Sequence, residues 1–257
     1  MDTTTAVPAP VASTASVATN ASSTSGTAVA PGTGTSSGSS TSSGASPGTG
    51  ASPDTAVASA LTASATTPVK VAVVVGSNRE GRFGPVVAAW LLRHVRDHAG
   101  FEVDVVDLAD VDLPTSLSYR PSESTRAELA KVTPKLAAAD AFIVLTPEYN
   151  HSYPAPLKNV IDWHGPEWHA KPVAFVSYGG LSGGLRAVEH LRPVLAELHA
   201  VTIRETVSFH NAGALFDEDG AHRDPEAADA AAKAMLDQLA WWAWALRAAK
   251  RVRPYES

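Results

Sequence analysis

From Val69 to Ser208 the chain alternates short apolar runs with helix-length amphipathic segments, and this alternation limits its fold more than any other feature. Five runs carry it: Val69–Val75, Phe101–Leu108, Ala141–Thr146, Pro172–Ser177 and Val201–Ser208. Val69–Val75 and Ala141–Thr146 (AFIVLT) are almost continuously apolar and rich in β-branched residues. Such strands are buried on both faces, as in a parallel sheet covered by helices. The segments between them read as those helices. One spans Pro85–Ala99 and stops at Gly100, a residue suited to a left-handed cap. Thr125 and Glu128 have capping-box spacing, which predicts a helix from Arg126. Pro134 either kinks that helix or opens a second one with Thr133 as N-cap. Further helices are predicted over Leu157–Trp163, Leu185–Leu198 and Pro225–Arg251, the last with Leu236, Leu239, Trp242 and Leu246 at helical spacing. The economical arrangement is an α/β three-layer sandwich of the flavodoxin-like type. Its five parallel strands take the order 2-1-3-4-5, with helices on both faces. Ligands on such sheets bind at the carboxyl ends of the strands, where strand order reverses. Here that point falls between the first and third strands.

The folded part begins where composition changes. Residues 1–68 are nearly all Ala, Ser, Thr, Gly, Pro and Val, with Leu61 the single leucine and Asp2 and Asp54 the only side-chain charges. A stretch so poor in apolar bulk cannot offset the entropy of ordering it, and disorder is the expectation. Residues 69–257 are long enough for one domain with a sizeable core. The formal net charge is −6 and no basic stripe is present, which argues against nucleic acid as a partner. No apolar run is long enough to span a bilayer, and the beginning of the chain lacks the basic and apolar regions of a secretory leader. The chain has no cysteine, so disulfides and thiolate chemistry are excluded, which fits a cytoplasmic protein. The scattered histidines show no metal-ligand spacing.

The loop after the first strand, Gly76-Ser77-Asn78-Arg79-Glu80-Gly81-Arg82-Phe83-Gly84, leads into a helix opened by Pro85. Loop amides and a helix N-terminus together favour an anion, and Arg79 and Arg82 offer planar donors suited to phosphate. Gly76 and Gly81 have P-loop spacing, but Arg82 and Phe83 stand where Lys and Ser/Thr are needed. The middle glycine of a dinucleotide fingerprint is also missing, although Asp107 could supply the acid ending the second strand. A terminal monophosphate fits better than either. The plain alternative is a tight turn with solvated arginines. After the third strand, Pro147-Glu148-Tyr149-Asn150 offers a rigid backbone, an aromatic face and an amide, the mixture a flat ring system needs. After the fourth, the glycines of YGGLSGG let backbone lie against a ring.

GSNREGRFG, PEYNHSYPAPLKNVIDW and SYGGLSGGLRA together resemble the NADPH-dependent FMN reductase family, a flavodoxin-like group that includes quinone and azo-compound reductases. The resemblance covers roughly Val69 to Ser208. It implies FMN at the strand ends, hydride from NADPH or NADH, a small-molecule acceptor such as a quinone or flavin, and assembly as a homodimer or homotetramer. By motif match, Ser77, Arg79, Arg82 and the Phe83–Gly84 backbone would take the phosphate. Pro147, Glu148, Tyr149 and Asn150 would line the ribityl chain and ring, with Ser177, Gly179 and Gly180 on the other edge. Many members carry Ser and Asn where this chain has Arg82 and Gly84. No side chain is required as general acid or base. His151, beside the ring, could give a proton to a reduced acceptor or simply be solvated. The alternative is a flavodoxin-like electron carrier or flavin-binding regulator without turnover of its own. A Rossmann dehydrogenase is the third reading.

Lys158 and Asp162 read as a surface ion pair, and Asn159 as a brace for the PEYN loop. Trp163, His164, Trp168 and His169 read as packed core, an interface or a lid. Trp241, Trp242 and Trp244 read as packing against the sheet or a partner subunit.

Overall fold

The computed structural model describes residues 53–256. Thirteen elements matter here. In chain order they are α1 (Pro53–Thr66), β1 (Val69–Val75), α2 (Gly84–Asp97), β2 (Phe101–Asp107), α3 (Glu123–Ala138), β3 (Ala141–Pro147), α4 (Ala155–Asp162), β4 (Pro172–Tyr178), α5 (Leu185–Glu197), β5 (Val201–Phe209), α6 (Ala212–Leu215) and α7 (Pro225–Val252), with a 3-10 turn at Leu108–Asp110. The sheet has five strands in the order β2-β1-β3-β4-β5, every neighbouring pair parallel. This is the flavodoxin-like arrangement expected from the alternation.

The continuous apolar runs divide their side chains between two cores. Val71, Val73 and Val75 face one layer, where α2 adds Trp90 and Leu91 and α7 adds Met235, Leu236 and Leu239. Ala72 and Val74 face the other, with Leu136 of α3, Leu157 and Ile161 of α4, and Leu191 and Leu195 of α5. Strand residues alternate faces, so burial on both sides demands apolar residues at successive positions. Registry then brings three loop entrances to one edge. Val75 pairs with Asp107 and Leu145, and Thr146 pairs with Ser177.

α3 begins earlier than its capping-box reading predicts. Ser122 is the N-cap, its Oγ accepting from the Thr125 amide at 3.1 Å. Glu128 instead accepts from the Asp112 amide and the Lys131 ammonium, bracing the loop after β2. The helix runs unbroken through Pro134. A proline there forfeits the bond to the Ala130 carbonyl and crowds it with its ring, yet the helix continues to Ala138. Thr133 does not cap anything. Its hydroxyl meets His164 Nε2 at 2.9 Å, while Nδ1 of the same buried ring meets the Val160 carbonyl at 2.7 Å. Trp168 is fully buried against Phe142, ring centroids 4.4 Å apart, so this tryptophan and His164 belong to the core.

The expectation of disorder through residue 68 gives way at Pro53, where α1 begins; residues 1–52 lie outside the described residues. Glycine, frequent before it, is absent from PDTAVASALTASAT, and five alanines lie in it. Alanine has the highest intrinsic helix propensity and needs no buried partner to show it. α1 lies against α7, but Val57 and Leu61 stay exposed. The firmer tie comes just after it. Arg247 of α7 donates to the Thr67 and Pro68 carbonyls at 2.7 and 2.8 Å and to Asp140 at 3.1 Å. Residues 69–257 are therefore proposed as the folding unit. Deleting residues 1–66, with Thr67 and Pro68 retained, is expected to cost no more than about 1 kcal/mol, a melting shift of about 2–4 °C. Thermal unfolding of the truncated chain checks this, and a chain that fails to fold would refute it.

Candidate functional site

The β1 strand delivers its loop from a fixed base. The Gly76 amide still bonds to the Leu145 carbonyl at 2.8 Å, so the loop departs from inside the sheet. Ser77 is fully buried and forms the floor of the loop. Tyr178, the last residue of β4, reaches across to donate from its hydroxyl to Ser77 Oγ at 3.2 Å. Burial pushes the Tyr178 phenol up to about 12, so it keeps its proton through the neutral range. Gly84 lies directly above. A Cβ there would stand 2.4 Å from Ser77 Oγ and 3.1 Å from the Tyr178 hydroxyl, so the loop can close onto its floor only with glycine at this position.

The arginines separate in role. Arg82 turns inward and makes a two-pronged ion pair with Asp107, at 2.5 and 2.7 Å, and donates to the Ser77 carbonyl at 2.6 Å. The hydrogen bond it donates to Asp107 leads the effects that raise the Arg82 pKa above its ordinary value. Arg79 is exposed, and its guanidinium lies 5.1 Å above the Tyr149 ring, joining the loop after β1 to the loop after β3. Phe83 packs between Tyr178 and Phe216, with centroids 6.3 and 5.7 Å away. No side chain caps α2. Pro85 has no N–H, and the Val86 and Val87 amides bond back to the Phe83 carbonyl at 3.1 and 3.5 Å, so at this helix start the Gly84 amide is the one offered to a ligand.

After β3, the Glu148 amide bonds to the Tyr178 carbonyl at 3.1 Å. Tyr149 and Ser152 exchange backbone bonds at 2.9 and 3.1 Å across a two-residue turn, with Asn150 and His151 at φ 48° and 73°. Positive φ at both central positions is the type I′ hairpin geometry, which asparagine tolerates well. Asn150 and His151 are exposed at its tip. Glu148 points away from the turn and pairs with Arg186 at 3.0 Å at the start of α5. Burial opposes its charged form, but the Ser182 and Arg186 hydrogen bonds outweigh that and hold the carboxyl below its ordinary value.

After β4, the glycine turn is clamped from below. The Gly183 carbonyl accepts from Ser177 Oγ and Ser208 Oγ, both at 2.8 Å. Ser177 is therefore an anchor of the turn and is itself buried. Gly179 and Gly180 are tied to the chain beyond β5, since the Ala212 amide bonds to the Gly179 carbonyl and the Asn211 amide to that of Gly180. A Cβ on Gly180 would meet nothing within 4 Å, so this stretch presents open backbone.

The loop after β2 closes the fourth side. Asn159 donates to the Leu113 carbonyl at 2.8 Å and Trp163 to the Pro114 carbonyl at 2.8 Å, so Asn159 braces this loop and not PEYN. Asn78, Asp112, Leu113, Pro156 and Asn159 line a cleft of about 210 Å³ between them. The Lys158–Asp162 pair lies outside it, on the exposed face of α4. Among the described residues no group of His, Asp or Glu could hold a metal ion. Sequence reasoning missed Tyr178 and the occupation of Asp107 by Arg82. The first follows strand alternation, which turns Tyr178 away from the Ser177 face; the second partner lies 25 residues off and left no local signal.

The donor set suits a flavin phosphate: an exposed guanidinium, an uncapped helix start, an aromatic ring and bare glycine backbone around one crevice. These belong to a flavodoxin-like fold, with the loop after β1 at its switch point. Residues 69–214, more than half of the 257, match the family described as NADPH-dependent FMN reductase, and the chain belongs to that family of oxidoreductases. It is 38% identical over 126 residues to the NAD(P)H-dependent FMN reductase of Schizosaccharomyces pombe, spanning 45% of this chain and 60% of that protein. It is 33% identical over 170 residues to the NAD(P)H:quinone oxidoreductase of Solanum tuberosum, spanning 62% of this chain and 84% of that one. The quinone reductase of Escherichia coli K12 is 33% identical over 143 residues, 53% and 74% of the respective chains. In fold, it resembles the flavoenzyme FerB of Paracoccus denitrificans with a TM-score of 0.53 and 24% identity, covering 68% of this chain and 97% of that one.

Proposed function

We propose that this chain is an NAD(P)H-dependent oxidoreductase that holds FMN at the β1–β3 switch point and reduces a quinone, a flavin or a similar aromatic acceptor. The observation that carries this reading is the Arg79–Tyr149 contact, which sets a phosphate-type donor and a ring-stacking face side by side across one crevice. In this reading Arg79 and the Phe83–Gly84 backbone receive the phosphate, with Ser77 as the floor beneath them. Tyr149, Asn150 and the Pro147–Glu148 backbone border the ribityl chain and ring. Gly179 and Gly180 border the opposite edge, where Gly180 faces open space with no Cβ to fill it.

FMN, when bound, supplies the two-electron chemistry, accepting hydride from a nicotinamide and passing it on. The chain's own residues bind, orient and shield. Tyr178 keeps its proton and holds the loop floor. The clamped Gly183 carbonyl fixes the turn that faces the ring. A dehydrogenase reading loses its ribose acceptor, because both Asp107 oxygens are bonded to Arg82. The proposal also includes assembly of two or four copies, to be read by light scattering. No helix among the described residues is long and apolar enough to cross a membrane.

Following NADPH absorbance in the presence of FMN tests the activity. Continuous oxidation that depends on added quinone is expected. A protein that holds FMN but oxidises NADPH no faster than free FMN would be a carrier or regulator instead.

A further inference from the structure

We infer that Arg82 and Asp107 form a positioning brace for the anion loop, and that Arg82 does not itself touch the anion. This rests on the FMN reading above and assigns a role to a pair that the reading leaves unexplained. Arg82 Nη1 holds two acceptors at once, the Ser77 carbonyl at 2.6 Å and Asp107 Oδ1 at 2.5 Å, while Nη2 holds Oδ2 at 2.7 Å. The Arg82 amide in turn bonds back to the Arg79 carbonyl at 3.1 Å. One side chain thus grips the first foot of the arch, at Ser77, while its own backbone is the second foot. Residues 78–81, including Arg79, are the span between them. Gly81, at φ +65°, makes the bend that brings the feet together.

The point to which the arch is tied is itself rigid. Asp107 ends β2 in register with Val75, and its Oδ1 also accepts from the Ala109 amide at 3.1 Å. The ion pair is sheltered, with side-chain exposures of 16% and 26%. A phosphate that took the Nη1 and Nη2 donors now held by Asp107 would have to break both prongs. It would also leave the Asp107 carboxylate unpaired and facing a second anion, the costliest arrangement for a sheltered charge. The brace keeps both charges satisfied and leaves Arg79, on the crown of the arch, as the guanidinium offered outward.

The two roles for Arg82 give opposite signs for one substitution. If Arg82 were a phosphate ligand, Asp107→Asn would release it from a competing carboxylate, and FMN would bind at least as tightly as to the wild type. If the pair is a brace, the feet of the arch loosen, and FMN should bind about tenfold more weakly, the scale of one lost charge-assisted contact. Arg82→Lys keeps the charge but loses the fork, so a brace predicts the same weakening as in Asp107→Asn. The double variant should be no worse than either alone, because both remove one unit.

The test titrates flavin fluorescence with FMN and, separately, with riboflavin, on the full-length wild type and the three variants, with thermal unfolding to establish that each is folded. A fall in the FMN-to-riboflavin affinity ratio in Asp107→Asn supports the brace, since general loosening would weaken both flavins alike and a freed phosphate ligand would not weaken FMN. An unchanged or tighter FMN affinity in either folded variant overturns it. A wild type that binds FMN no better than riboflavin would overturn the phosphate reading itself, and the brace with it.

Discussion

Alanine at position 184 is expected to lower the unfolding free energy by about 2–5 kcal/mol. Gly184 stands at φ 85°, ψ 6° at the start of α5. A left-handed conformation costs an L-residue roughly 1–2 kcal/mol. The added methyl would also stand 2.7 Å from Ser177 Cβ and 2.9 Å from the Tyr178 amide nitrogen. Those atoms belong to a strand buried on both faces, where nothing can move aside, and overpacking of that kind adds about 1–3 kcal/mol. Urea unfolding measures the sum, with the slope unchanged if the denatured state is unaffected. Gly180→Ala is the matched control. Its φ lies outside the positive region and a Cβ there meets nothing within 4 Å. A change within about 0.5 kcal/mol is expected there. Equal losses at the two glycines would show that the turn is not clamped as described.

Arg79→Ala is expected to weaken FMN binding by about 1.5–3 kcal/mol, roughly tenfold to over a hundredfold, the range for hydrogen bonds to a charged group. Riboflavin, which lacks the phosphate, should lose much less. Arg79 is exposed and its described contact is the face of Tyr149, so global stability should barely change. Isothermal titration with both flavins separates the phosphate contribution from the ring contribution. Unchanged FMN affinity would remove Arg79 from the phosphate site and leave the exposed crown of the loop without a purpose.

What could be read in advance follows physical range. Strands buried on both faces leave long apolar runs, so β1 and β3 are legible to within a residue of their ends. The strand order follows from having five such runs and their connections. Loops carrying glycine and proline at strand ends mark the crevice, because open backbone and anion binding need those residue types. Features that depend on distant partners leave no local trace. Arg82 looks like a phosphate donor in GSNREGRFG until Asp107 is found within reach. Asn159 finds Leu113, 46 residues away, and not the loop beside it. The type I′ turn at Asn150–His151 lacks the glycine that usually announces one. Thr125 and Glu128 have capping spacing, yet Ser122 takes the cap and Glu128 turns to the loop after β2. The helix at Pro53–Thr66 escapes a composition argument because alanine contributes helix propensity without bulk.

The central claim is that a singly phosphorylated flavin is held by its phosphate at the start of α2. Crystals grown with excess FMN test it most directly. The phosphate should lie within hydrogen-bond distance of the Arg79 guanidinium and the Phe83–Gly84 backbone, with the ring against Tyr149. A phosphate bound elsewhere, or a flavin whose phosphate projects into solvent, would contradict it.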